Sequence, residues 1–393
     1  MDIQLRPATE QDFPEIARID SVAFGFTHSA ESYADTFSNP PEILLAGDGE
    51  RLVGVAAHYP FSMTVPGGGD LQVPGLTWVA VLPTHRRRGV LTALLGRLAE
   101  QYHAAGVPCA VLMASEGSIY RRFGYGVAST AVKVSIDRRL ATLRAPVDAG
   151  AVEQLTAEQA RQRLPELYRR WQQVTPGALN RTDRWWDRLF FDPESRRQGK
   201  SEKFYLVHPD GYLTYRTAER WTDGHPDSRC EILDYRPITR QAHAALWQVL
   251  LGMDLIPTIE SWQVPSDDPL PFLLTDFRQL RTVASKDGLW LRPVNLAALL
   301  AGRRYAVDFE AVFEVAGERV ALAGGPDGAE CVPTDRPAQL WLDRPELGSI
   351  YLGGYRLHML HRAGLVRSDS PGLLDRLDLA FGTDRAPRYG TNF

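Results

Sequence analysis

Along the first third of the chain, apolar positions follow two spacings. Ile3–Arg6 reads as a short strand. Behind a capping pattern at Ala8–Asp12, Phe13, Ile16, Ala17 and Ile19 recur at helical spacing, predicting a helix through about Val22. Short apolar runs then return. Ile43–Gly47 and Leu52–His58 predict two strands joined by Asp48-Gly49-Glu50, and Ser62–Val65 a third. Pro66-Gly67-Gly68-Gly69-Asp70 has no lysine and no helix behind it, so it reads as a hairpin tip and not a phosphate loop. Leu76–Val81 is the next strand. Leu91, Leu94, Leu95, Leu98 and Tyr102 then put an apolar stripe on one face of a long helix. Pro108–Ala114 reads as a buried strand, Ser118–Phe123 as a short helix and Ala128–Ile136 as an alternating strand.

The pattern pauses at Ala145-Pro146-Val147-Asp148-Ala149-Gly150, and then partly repeats. A helical region over 155–173 and an aromatic pair, Trp185-Trp186, precede strands at Phe204–His208, Tyr212–Thr217 and Glu231–Tyr235. Thr239 caps a helix bearing Ala242, Ala245, Leu246, Val249 and Leu250. Strands followed by a helix suggest a second copy of the first fold. A third region opens near Asp287, with a helix at Leu296–Leu300, strands alternating with turns at Ala323-Gly324-Gly325-Pro326-Asp327-Gly328, and a closing helix at Leu373–Ala380. The expected division is 1–145, 146–286 and 287–393, in an α+β chain.

Composition narrows the function classes. At 393 residues the chain exceeds one ordinary core, and 44% apolar with 23% charged residues is a globular balance. A net charge of −4 gives no support to a nucleic-acid partner. Cys109, Cys230 and Cys331 stand too far apart in sequence for zinc spacing or a disulfide framework, and read as small buried hydrophobes. The sequence shows no apolar run long enough for a membrane span and no basic leader, which makes the cytoplasm the expected compartment.

Val79-Ala80-Val81-Leu82-Pro83-Thr84-His85-Arg86-Arg87-Arg88-Gly89-Val90-Leu91 is the most informative stretch. A strand reaches a proline, turns through basic residues and a glycine, and enters a helix. Unpaired N–H groups and the helix dipole make such a start an anion site. Gly89 removes a side chain where backbone must approach, and Arg86, Arg87 and Arg88 add charge. The segment resembles motif A of the GCN5-related N-acetyltransferases (GNAT), whose Arg-x-x-Gly-x-Gly/Ala loop grips the pyrophosphate of acetyl-CoA. Leu91 departs from the pattern, standing where a small residue is usual. At the equivalent place in the second copy, Leu233-Asp234-Tyr235-Arg236-Pro237-Ile238-Thr239 lacks a glycine and carries an acid, so a second CoA site is not expected.

Ala114–Gly126 is the second strong feature. In the acetyltransferase fold its strand splays from Leu76–Val81, and the pantetheine arm lies in the gap. A backbone N–H near Val79 would face the thioester carbonyl and stabilise an oxyanion, and Tyr120 would stand near the sulfur as an acid. Together with Asp287–Arg292, Leu347–Gly353 and the terminal Tyr389-Gly390-Thr391-Asn392-Phe393, these segments resemble the Eis (enhanced intracellular survival) family of acetyltransferases over essentially the whole length. The resemblance implies a GNAT domain, a degenerate GNAT-like domain and a sterol-carrier-protein-like domain. It implies acetyl-CoA as donor, Tyr120 as general acid and the free carboxylate of Phe393 as base. Donor contacts fall on Val79, Ala80, Val81, Arg86, Arg87, Arg88, Gly89, Val90, Leu91, Ser115 and Arg122, and acceptor contacts on Phe24, Phe26, Glu31 and Glu116. It also implies a hexamer and, for many members, aminoglycoside acceptors.

Physical chemistry constrains these roles. A solvated α-carboxyl near 3.5 is a feeble base, and burial would strengthen it. A tyrosine near 10 is a weaker acid than a thiol near 8.5 by about 2 kcal/mol, so Tyr120 must hydrogen-bond the departing thiolate or have a lowered pKa. The adjacent Arg121-Arg122 pair is a candidate for lowering it, its alternative being a solvated pair. Family members active on aminoglycosides carry acids after the first helix and before the last residue. Here Phe24-Gly25-Phe26-Thr27-His28 and Asn392 occupy those stretches, with Glu31, Asp35 and Glu116 as possible substitutes. Two alternatives stand beside an amine acetyltransferase: a non-catalytic CoA- or lipid-binding protein, and a protein-lysine acetyltransferase.

Overall fold

The computed structural model describes residues 3–27, 33, 37 and 40–393. The chain divides into two compact units, one of residues 1–129, 288–383 and 391–393, the other of 130–287 and 384–390.

In the first unit β1 (Ile3–Pro7) leads through a capped turn into α1 (Phe13–Phe24). β2 (Glu42–Asp48), β3 (Arg51–Thr64) and β4 (Asp70–Val81) follow as an antiparallel meander whose β3–β4 hairpin closes on the triple-glycine tip. α2 (Val90–Ala104) crosses over to β5 (Cys109–Met113), which runs parallel to β4, as a parallel connection requires. The strand period of two divides the apolar side chains between the helices. Leu44 and Ala46 pack with Leu94, Leu98 and Leu112 on the α2 side, while Leu45 and Val55 pack with Ile16 and Ile19 of α1. The predicted helix over 118–123 is instead a chain of turns ending in a 3-10 turn at Arg121–Phe123, before the short β6 (Gly126–Val127).

The sheet is completed by a distant strand. Leu289–Pro293 pairs antiparallel with both β5 and β6. The alternating strand after β6, Thr130–Asp137, belongs to the second unit, where it pairs with Thr258–Ser261 and Arg281–Asp287. The two GNAT-like sheets thus each take their penultimate strand from across the expected boundary, so the compact units part at 129/130 and 287/288, not at 145. Alternation marks a half-buried strand but carries no information on which sheet will receive it.

The second unit repeats the topology. Its seven strands run, in space, 281–287, 130–137, 258–261, 229–237, 211–218, 204–208 and 153–155, with Arg240–Leu251 in the place of α2. Trp185 and Trp186 are buried, as are all three cysteines.

Residues 296–381 form a five-stranded sheet with helices Arg344–Tyr351 and Pro371–Phe381. Arg344–Tyr351 comes so close to the first sheet that a Cβ at Gly126 would lie 1.7 Å from the carbonyl oxygen of Pro345, and one at Gly348 2.2 Å from that of Leu291. Its interior is occupied by Phe313, Leu322, Ile350, Leu377 and Phe381 and by the buried Arg303, which donates to the carbonyls of Tyr351 and Phe381.

Candidate active site: a splayed strand pair and the chain end

β4 and β5 pair only at Gly75–Val111 and Leu76–Leu112. Beyond Leu76 the strands part. On its other flank β4 slips register against β3 between Val55 and Ala57, leaving Trp78 and Val79 without a ladder partner on either side. Trp78 takes a left-handed conformation, φ 48°, which is costly for a bulky residue and marks an enforced bulge. Its ring packs edge-on against Phe37, 5.5 Å away. Backbone of Val79, Ala80 and Val81 thereby runs along a strand edge that β5 leaves open, the kind of edge an extended amide chain can pair with.

The loop after β4 suits a pyrophosphate. A 3-10 turn at Pro83–His85 buries His85, whose Nδ1 lies 2.8 Å from the Thr84 hydroxyl and Nε2 3.5 Å from Asp48. Arg87 and Gly89 take positive φ, 61° and 86°. Gly89 occupies the N-cap of α2 with no side-chain cap, and a Cβ built there meets nothing within 4 Å. The first turn of α2 thus begins uncapped, at an open position beside the exposed Arg87 and Arg88. Arg86 is turned differently: its guanidinium reaches the carbonyls of Val81, 3.5 Å, and Ala23, 3.4 Å, and so ties this loop to the end of α1. In the second unit Thr239 caps the corresponding helix itself, its hydroxyl accepting from the N–H of Ala242 at 3.2 Å.

Tyr120 is buried among Leu76, Leu112, Tyr125 and Trp290. Burial pushes its pKa up; a hydrogen bond with Ser115 opposes this and the charge of Glu116 adds to it. Ser115, expected as a donor contact, is thus a partner of the Tyr120 phenol. The arginine pair does not lower that pKa. Arg121 is taken up by an ion pair with the buried Glu346, and Arg122 lies over the Phe123 ring at 4.9 Å. Tyr125 is core, its hydroxyl pushed well up by burial.

The chain end lies at the same opening. The ring of Phe393 packs on Phe61 of β3 with centroids 4.9 Å apart, and Thr391 is buried. Gly75, in the first of the two β4–β5 pairs, makes room: a Cβ there would sit 2.7 Å from Phe61 and 2.9 Å from Cε2 of Phe393. Neither Phe61 nor Gly75 was expected from the sequence, although a glycine inside an apolar strand is the ordinary signal of close approach. Phe24 and Phe26 are exposed at the C-terminal end of α1, and Glu116 is exposed ahead of Tyr120. Glu31 and Asp35 lie outside the described residues. Among those residues no cluster could hold a metal ion, and no helix is long and apolar enough to cross a membrane.

Comparison with known proteins agrees with this geometry. Residues 4–128 and 177–292 match models of the GNAT acetyltransferase domain, and residues 296–389 match a sterol carrier protein domain. The chain is 38% identical to the N-acetyltransferase Eis of Mycobacterium tuberculosis over 399 aligned positions, covering 98% of each. It is 36% identical to an uncharacterised N-acetyltransferase of Streptomyces coelicolor, over 87% of this chain and 86% of that one. The crystal structure of Eis1 from Mycobacterium abscessus superposes over the full length of both chains with a TM-score of 0.89 at 32% identity. A GCN5-related N-acetyltransferase from Anabaena variabilis shares the fold, with a TM-score of 0.86 at 20% identity. A bulged, splayed strand pair, an uncapped helix start and three consecutive matched domains make this an acetyl-CoA-dependent N-acetyltransferase, and the chain belongs to the Eis family of GNAT enzymes.

Proposed function

We propose that the enzyme acetylates a primary amine of a small molecule by direct attack within a ternary complex, with the carboxylate of its own last residue as the base. The observation that carries this reading is the seat of Phe393 against Phe61 and Gly75, where β4 and β5 begin to part. The neutral amine forms the new C–N bond at the thioester carbonyl. The N–H of Val79 stabilises the oxygen as it gains charge. Collapse breaks the C–S bond, the Phe393 carboxylate accepts the amine proton, and Tyr120 hydrogen-bonds the departing sulfur and supplies its proton. The N–H groups of residues 87–91 hold the pyrophosphate, with Arg87 and Arg88 as counter-charges and Arg86 fixing the loop. No side chain serves as a nucleophile.

The acceptor is an amine with an apolar body. Phe24 and Phe26 stand exposed beside the loop that Arg86 anchors, and Asn392 precedes the terminal residue where an acid would attract a polycation. Aminoglycosides fall within the reading as acceptors weaker than arylalkylamines. A cytoplasmic hexamer completes it, by family likeness. Measuring CoA thiol release with aminoglycosides, polyamines, arylalkylamines and lysine peptides tests the assignment. Turnover with small arylalkylamines and none with their N-acetyl forms is expected. Turnover with peptides alone would establish a protein-lysine acetyltransferase instead.

A further inference from the structure

The second GNAT-like sheet has an opening of its own. Its strand Arg229–Pro237 pairs in parallel with Thr258–Ser261 only as far as Ile232–Ser261, after which the two part as β4 and β5 do. Residues 386–390 of the tail lie across this opening. The N–H of Arg388 donates to Pro176 at 2.8 Å, the N–H of Leu179 donates to Tyr389 at 2.9 Å, and the N–H of Ala386 donates to the Asp267 carboxylate at 2.7 Å. On one lip Arg236 donates to the carbonyl of Gly390 at 2.8 Å; on the other, the Arg388 side chain donates to the carbonyl of Gln263. Arg181 reaches the same Gly390 oxygen at 2.5 Å.

The chemistry of this grip is specific. Arg181 and Arg236 are almost wholly buried and share one carboxylate, Asp234, which they bond at 2.7 and 2.5 Å. Burial pushes that carboxyl up, yet the two guanidiniums bring it down to about 2. Both guanidiniums also donate to the Gly390 oxygen, an acceptor they share beyond Asp234. Gly390 itself is at φ 69°, and a Cβ there would lie 2.5 Å from the Tyr168 hydroxyl and 2.8 Å from the Trp171 ring. The grip therefore admits glycine and little else. Gly390 is the last residue of the second unit, and Thr391–Phe393 belong to the first.

We infer that the second GNAT-like domain is retained as the anchor of the chain end. Its cleft takes residues 386–390 where the first copy takes its donor, and Arg181 and Arg236, acting through Gly390, are positioning residues for the Phe393 carboxylate. This rests on the reading of that carboxylate as the base.

Gly390→Ala tests the anchor, with Arg236→Lys, which keeps a charge beside Asp234 but loses the fork, as a second variant should the first not fold. In the intact enzyme carboxypeptidase A should release Phe393 slowly; in both variants, release should become fast. Their kcat should fall by roughly 10- to 100-fold with the acetyl-CoA KM unchanged, and added formate should restore part of it, since the displaced group is a carboxylate. A terminus that stays resistant, or a kcat that stays intact despite rapid trimming in the variant, overturns the inference. Amidation of the Phe393 carboxylate separates the two ideas. If it leaves kcat intact, the base assignment fails and the anchor has no catalytic purpose, whereas carboxypeptidase release from the unamidated variants still reports whether the grip exists.

Discussion

Tyr120 combines burial with a hydroxyl bonded to Ser115, and its pKa is raised, not lowered. Raising it widens the gap to a thiol, so in the proposed mechanism the phenol acts as a hydrogen-bond donor whose proton follows charge onto sulfur. Tyr120→Phe keeps the ring and removes that donor. Its kcat should drop about 10²- to 10⁴-fold while acetyl-CoA binding is little changed. A pH profile adds a second check. Because the folded pKa lies above the usual tyrosine range, Tyr120 keeps its proton from neutrality to about pH 10. The rate should rise as the amine loses its proton, with no fall below about pH 10, and Tyr120→Phe should retain the rising limb. Near-wild-type turnover of Tyr120→Phe would assign the protonation to water. At this scale the sequence singled out Tyr120 as a candidate but did not show what would surround it. Ser115 is a local neighbour, but Trp290 meets it through a strand after the second domain that returns to the first sheet.

Among elements, the strand-to-helix turn of motif A was the most legible, because its determinants are local. A proline stops the strand, positive-φ residues shape the loop, and an apolar stripe fixes α2 on the sheet. Gly89 sits uncapped, left-handed and open to solvent, so its replacement has a definite outcome. Gly89→Glu adds strain at φ 86° and a negative charge at the proposed pyrophosphate site. The acetyl-CoA KM should rise by at least about tenfold, with smaller effect on stability, since no neighbouring atom is displaced. Equal affinity for CoA in a folded Gly89→Glu enzyme would move the pyrophosphate elsewhere. The exchange of Thr130–Asp137 and Leu289–Pro293 between sheets was not legible. Both strands carry the right apolar pattern for either sheet, and only the ladders formed on folding decide the partner.

For the whole molecule, the order of three domains was readable from repeated strand-and-helix patterns, but the reason for keeping them together was not. On the reading proposed above, that reason lies at the chain end, whose contacts join residues far apart in sequence: Phe393 with Phe61, Gly390 with Arg181. If the terminal carboxylate is the base, its free charge matters more than the ring that seats it. Residues appended after Phe393 turn the carboxylate into a neutral amide and move the true terminus away. A C-terminal tag should therefore abolish most turnover, whereas an N-terminal tag should not. Phe393→Leu loses the stacking on Phe61 but keeps the carboxylate, and should be milder than the extension, roughly tenfold or less in kcat. Comparing the three enzymes at equal CoA affinity isolates the charge from the packing. Full turnover from a folded, C-terminally extended enzyme would sink the assignment. The base would then have to be sought at Glu116, at Glu31 or Asp35, or in water along the open edge of β4.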